Sequence, residues 1–228
     1  MILGRKSKIA VVCVLIVAIS ALAGPYIYSW FERAPDTLVS RRLINDTTIF
    51  SADLNGDWKV AEGSVVGYRV KEQIVLTKLE SVGRTESVTG IFSVQDGILM
   101  SARFEVDVST IASDRSQRDG QFRTRIMDVA KYPTATFTLT KSTALPLSSE
   151  AASMRAFTIS GELQLRDATR FVKIDIFAAV DAGRLRITGS TEIRFSEWGI
   201  PNPSVPEVFI FTDPFGILEF DLLFTPLD

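Results

Sequence analysis

Downstream of Asp57 the chain is written mainly in period two. In Ala102-Arg103-Phe104-Glu105-Val106-Asp107-Val108 apolar and charged residues alternate without a fault, the pattern of a strand with one buried and one wet face. Phe157, Ile159, Gly161, Leu163 and Leu165 alternate with Thr158, Ser160, Glu162 and Gln164. Leu185, Ile187 and Gly189 alternate with Arg184, Arg186 and Thr188, and the run continues toward Ile193 and Phe195. Near the end, Leu218, Phe220, Leu222 and Phe224 share a face opposite Glu219 and Asp221. Shorter strands are expected over residues 65–70, 88–94, 134–140 and 172–178. Turn residues punctuate these runs at Asp96-Gly97, Asp181-Ala182-Gly183 and Asp213-Pro214. About eight antiparallel strands with one apolar face must close or stack, and nearly uniform alternation without covering helices favours an all-β closed barrel. Residues 111–131 break the pattern. They are polar and charged, with Phe122, Ile126 and Val129 at near-helical spacing, so a short helix or two is expected over one end of the barrel. Tyr132-Pro133 stops it, and residues 142–153 read as a hairpin loop.

The first part of the chain follows a different rule. Residues 9–31 hold no charge (IAVVCVLIVAISALAGPYIYSWF), and as a helix they would span roughly 35 Å, enough for a hydrocarbon core of ~30 Å. Arg5, Lys6 and Lys8 precede the run. Residues 1–8 then form a cytoplasmic basic tail, residues 9–31 a transmembrane helix, and the rest lies outside the cytoplasm. Tyr26, Tyr28 and Trp30 fall where an interfacial aromatic belt would lie. The competing reading is a cleaved secretory signal ending at Ala21-Leu22-Ala23, which would leave a secreted domain. Apolar and aromatic residues running on to Phe31 argue for retention. Residues 32–53 read as a linker or an irregular first layer, with a glycosylation triplet at Asn45-Asp46-Thr47. Residues 54–228 form the barrel domain.

Composition narrows the chemistry. The 228 residues are 46% hydrophobic and 23% charged, with a formal net charge of −2, within the range of a single globular domain plus leader. Removing the three leader cations leaves 22 basic and 27 acidic residues, so the domain is acidic and no nucleic-acid partner is expected. There is no histidine, and the only cysteine, Cys13, lies in the leader. The usual general base and the usual zinc ligands are therefore missing from the domain. Calcium-loop spacing and paired-acid motifs are not apparent, so no cofactor, metal or catalytic residue is assigned. The pattern points to a binder rather than an enzyme.

Several stretches occur in an order that resembles the YceI-like family of exported, lipocalin-like barrels associated with isoprenoid lipids. Asp57-Trp58-Lys59-Val60 with Ser64-Val65-Val66-Gly67-Tyr68 looks like the opening strand of that family. Val106-Asp107-Val108-Ser109-Thr110-Ile111, Gln117-Arg118-Asp119-Gly120 and Lys131-Tyr132-Pro133-Thr134-Ala135-Thr136-Phe137 look like its central block. Gly161-Glu162-Leu163 with Thr169, and Phe195-Ser196-Glu197-Trp198-Gly199-Ile200, match its later strands. The resemblance covers residues 56–226. It departs where the family carries His-Leu: here Gln121-Phe122 follows Gly120, so any role of that histidine does not carry over. What the resemblance implies is an antiparallel eight-stranded lipocalin-like barrel with a short helical lid, whose partner is an isoprenoid-type lipid; the leader, read as a retained anchor, is a second departure, since some relatives are simply secreted.

Phe92, Phe104, Val106, Phe137, Phe157, Ile159, Leu163, Ile187 and Phe220 are the residues expected to point inward. Taken as residues alone they suit a filled core, which would make the domain a protein-interaction module of the cell envelope. The family resemblance favours a hollow barrel that holds a long apolar chain. Arg118 and Asp119 form either a polar clamp for a ligand head group at the barrel mouth or a structural pair pinning the lid to the rim. Trp198-Gly199-Ile200-Pro201-Asn202-Pro203 reads as a flap or, more simply, a rigid turn.

Overall fold

The computed structural model describes residues 36–38, 54–75, 77–145, 155–181 and 184–227. The leader with Cys13, the Asn45 triplet, residues 146–153 of the expected hairpin loop and Ala182-Gly183 lie outside the described residues. Among the described residues no helix is long and apolar enough to cross a membrane.

Twelve strands form one sheet: β1 (Gly56–Val60), β2 (Val65–Ile74), β3 (Thr77–Thr85), β4 (Val88–Gln95), β5 (Ile98–Asp107), β6 (Thr134–Leu139), β7 (Thr143–Ala144), β8 (Arg155–Leu165), β9 (Ala168–Asp181), β10 (Arg184–Arg194), β11 (Ile210–Thr212) and β12 (Phe215–Pro226). Eight of them close a ring in the order β1-β4-β5-β6-β8-β9-β10-β12, sealed by antiparallel pairing of β12 with β1. The eight strands expected from alternation are all present. The others escaped the pattern for physical reasons. β7 and β11 are too short to show a period, and β1 has only five residues. β3 pairs only with β2 along its length, off the closed ring, so the face bearing Leu79, Ser81, Gly83 and Thr85 is not uniformly apolar. Phe195, read as the end of a strand, instead begins a 3-10 turn that buries Phe195 and Trp198 and ends on Gly199 at φ 59°.

β12 is long enough to serve two partners on one edge. Phe224–Pro226 pair with β1, and Ile217–Asp221 pair with β2. Between β1 and β2 the chain bends, and Ser64 fills the corner. Its hydroxyl donates to Ala61 O at 2.7 Å and accepts from Leu223 N–H at 2.9 Å, replacing ladder bonds that the bend removes.

One end of the ring is capped by the connection from β5 to β6. It contains α1 (Ser116–Gln121), which widens into a single π-helical turn over Phe122–Ile126, where the sequence predicted a short helix. Three contacts pin this lid. Arg84 and Ala112 exchange backbone hydrogen bonds of 2.9 and 3.0 Å. Arg125 donates to the carbonyls of Asn202 and Pro203 at 3.3 and 2.9 Å. Arg166 donates to Ile126 O at 2.7 Å while its guanidinium lies over the Tyr132 ring.

The outer wall of β12, β2 and β3 carries a buried ion cluster. Glu219 faces away from the lumen yet is only 1% exposed. It lies 3.4 Å from Arg69 and 3.1 Å from Arg84, and Arg69 also reaches Glu80 at 2.8 Å. Residues 36–38 cover this cluster: Leu38 is fully buried, its N–H donates to Glu219, and Arg84 donates to Asp36 O. Three residues of the expected linker therefore pack on the barrel wall. Removing one member of a buried cluster leaves the others as uncompensated charges. Glu219→Ala is expected to cost about 3–5 kcal/mol in urea unfolding, whereas Glu80→Ala, at a side chain 38% exposed, should cost about 1 kcal/mol or less. Equal effects of the two substitutions would contradict this division.

Candidate functional site

The inward faces of the strands do not meet. They enclose a cavity of ≈ 440 Å³ that runs from Leu99, Leu145 and Leu185 at one end to Ile200, Pro203, Val205 and Ile210 beneath the lid, within the range of small-molecule sites. Phe92, Phe104, Val106, Phe137, Phe157, Ile159, Leu163, Ile187 and Phe220 all line it. The barrel is hollow, and the filled core suggested by the residues alone is not what the fold builds.

Glycines on the inner face keep it open. A Cβ built on Gly189 would lie 2.5 Å from Phe220 Cζ, its registered partner across β10 and β12. A Cβ on Gly90 or Gly161 would likewise collide with the ring of Phe104 or Phe137. Each ring lies across a glycine of the next strand and occupies the space of its missing side chain. The phenylalanines thereby coat the wall instead of filling the centre. At the end away from the lid, Phe92 stacks on Trp58 at 6.0 Å and meets Phe224 edge-on at 4.9 Å, with Phe104 contacting the same Phe224 ring. This cluster closes that end.

The polar part of the lining gathers at the lid. Glu72, Arg115, Arg118, Gln121 and Arg125 border the cavity there. Tyr68 stacks on Phe122 of the lid at 4.9 Å, and the absence of a side chain at Gly83 makes room for its ring. Burial pushes the Tyr68 phenol well up from its ordinary value, with nearby Arg118 opposing, so Tyr68 is a neutral hydroxyl at physiological pH. Arg118 lines the cavity and pairs with Asp114 rather than with Asp119. Asp119 lies outside the lining. It is buried, and its carboxylate accepts from Ser113 N–H at 2.8 Å and Ser113 hydroxyl at 2.6 Å. The lid thus takes its shape from Asp119, while Arg118 is the member of the pair that faces the opening. Gln121 and Arg125 were not singled out from the sequence. Their signal was available: with Arg118 they recur at three and four residues, one face of a helix. In the loop from Trp198 to Pro203, Asn202 Oδ1 accepts from Ser204 N–H at 2.8 Å, and Ile200 and Pro203 join the lining. Among the described residues no group of three or more metal-ligating side chains is assembled.

The architecture is a closed, antiparallel eight-stranded barrel with an apolar lumen, lidded at one end by a short helix. The YceI-like domain model matches residues 58–213, and the chain belongs to that family. No curated protein matches the sequence. Among solved structures, a polyisoprenoid-binding domain from Saccharophagus degradans implicated in plant cell wall breakdown is similar, with 13% identity and a TM-score of 0.57 over 75% of this chain and 98% of that one. BcnA of Burkholderia cenocepacia is similar at 14% identity and a TM-score of 0.55, covering 72% of this chain and 98% of that one. These likenesses concern the fold.

The glycine–phenylalanine packing has a sign that can be measured. Alanine in place of glycine within a strand ordinarily stabilises by about 0.5–1 kcal/mol. Gly189→Ala is expected to destabilise the barrel by about 1–3 kcal/mol in urea unfolding, because the methyl group must displace the Phe220 ring. A neutral or stabilising result would mean that the ring is not held against the wall.

Proposed function

We propose that this chain is a membrane-tethered, extracytoplasmic binding protein for an amphiphilic isoprenoid lipid of the polyprenol or quinone type, acting as carrier or buffer and not as an enzyme. The observation that carries the reading is the distribution of chemistry along the lumen: apolar for its length, polar only at the lid. An amphiphile has the same distribution. Its chain would lie among Phe104, Val106, Phe137, Phe157, Ile159, Leu163, Ile187 and Phe220, with Phe92 at the closed end. Its head group would meet Arg118 and its neighbours at the mouth. Each buried methylene contributes roughly 0.8 kcal/mol, so about ten of them outweigh the several kcal/mol lost in immobilising a flexible chain. Membership in the YceI-like family supports the reading, as does the fold shared with a polyisoprenoid-binding domain.

The leader supplies the tether in this reading. Residues 9–31 hold the domain at the outer face of the membrane, where the effective concentration of a lipid ligand is high. Native mass spectrometry with lipid extraction, on residues 32–228 purified gently from cells, tests the binding role. The expected result is a discrete added mass that extracts as an isoprenoid. A protein that arrives without lipid, and takes up none from vesicles containing polyprenols and quinones, would overturn it.

A further inference from the structure

Beyond the lid end of the lumen, the tip of the β2–β3 hairpin and the loop entering β11 stand side by side. Val75 N–H donates to Phe209 O at 3.1 Å, and β11 continues the pairing along β2. This corner presents Val75, Val205, Phe209 and Phe211 to solvent, with Phe209 63% and Val75 52% exposed. Val75 and Phe209 are also both in the left-handed region, at φ 56° and 57°. Branched and bulky residues adopt that conformation only against a steric penalty. Here the penalty holds two apolar side chains out in water, where packing offers no compensation. Stability of the free domain does not account for that arrangement.

Cations face these residues across the mouth. Arg118, Gln121 and Arg125 on the lid share a surface hollow with Val205, Pro206 and Glu207, and Arg115 borders the same opening. The acids nearby are Glu207, Glu72, Asp114 paired with Arg118, and Asp119 held by Ser113. Apolar tips flanked by lid arginines that these acids balance make the combination that enters the interfacial boundary of a bilayer.

The path of the chain gives the direction of approach. Asp36 and Leu38 are fixed on the wall against Arg84 and Glu219, and Arg84 is the residue that bridges to Ala112 of the lid. Four residues, 32–35, separate Phe31, the last apolar position of the leader, from Asp36, which makes five Cα-to-Cα steps. That stretch reaches at most ~18 Å. A leader seated in a bilayer therefore keeps the lid end near the same surface, and leaves the Asp96-Gly97 turn at the opposite end of β5 facing away.

We propose that the apolar rim formed by Val75, Val205, Phe209 and Phe211 docks on a lipid bilayer, so that the lumen opens onto the membrane itself. Only the direction of approach rests on the tethered reading above. The test uses the full chain with Cys13→Ser and a single environment-sensitive nitrobenzoxadiazole label, reconstituted in phosphatidylcholine–phosphatidylglycerol vesicles with brominated acyl chains. The label is placed through Gln117→Cys on the lid, which keeps every apolar rim residue, or through Ser142→Cys beyond β6 at the far end. The lid label should shift to the blue and lose most of its emission to the brominated chains. This should weaken on adding Phe209→Ser with Phe211→Ser, and the far-end label should remain unquenched. No quenching at the lid, or equal quenching at both sites, would overturn the proposal. So would a blue shift without quenching, which would mean that a second copy of the chain covers the rim. The readout does not depend on cargo, so failure to dock and failure to bind lipid are separate outcomes.

Discussion

Closure through β12 is the constraint on which the rest of the molecule depends. On one edge this strand pairs with β10 over ten registered residues. On the other it pairs first with β2 and then with β1. The handover requires a bend between β1 and β2, and Ser64 supplies the hydrogen bonds lost there. Because β12 holds β1 at one end of the barrel, the aromatic cluster of Trp58, Phe92 and Phe224 forms at that end. Because it holds β2 at the other, the β2–β3 hairpin and β11 stand at the lid end of the barrel. Floor, lid and rim follow from a single strand meeting two partners.

Closure by itself leaves open whether the interior fills. Inward apolar side chains lower their free energy by mutual contact as well as by contact with a ligand. Three inward glycines decide the matter, because the rings of Phe104, Phe137 and Phe220 fold onto them and stay at the wall. Charge is partitioned with equal economy. Glu219 and Arg69 are buried and Arg84 half-buried on the outside of the barrel, where both arginines pair with Glu219 and the cluster holds residues 36–38. The lumen keeps its polar groups at the lid. A ligand that enters fully therefore exchanges water for apolar surface along its chain and keeps polar neighbours only at its head.

Much of this was legible in the chain. Strands with one wet face announce themselves by alternation, and Ala102–Val108 or Leu218–Phe224 could be read almost residue by residue. β3 could not, since its inner face is not uniformly apolar. Hollowness was not legible from the residues either. Phe104 facing a filled core and Phe104 lying over Gly90 have the same local pattern, and only the register between β4 and β5 distinguishes them. At the mouth the sequence singled out Arg118 and Asp119 as a unit. The fold separates them, because Asp119 satisfies Ser113 inside the lid while its neighbour one residue earlier points to the opening. Adjacent residues on a helix face different directions, and which one meets the lumen depends on how the lid is pinned. Arg125 acquires its place from carbonyls 77 and 78 residues away, a relation that no local pattern encodes.

The central claim is that the lumen is a site for a long apolar chain with its polar end at the lid. A crystal structure of the barrel grown with a polyprenol carrying a heavy-atom label at its head group tests it most directly. The account predicts continuous density along the lumen between Phe104, Phe137 and Phe220, with the label beside Arg118 and Arg125. Side chains collapsed into an empty lumen, or a label seated at the Trp58 end, would contradict it.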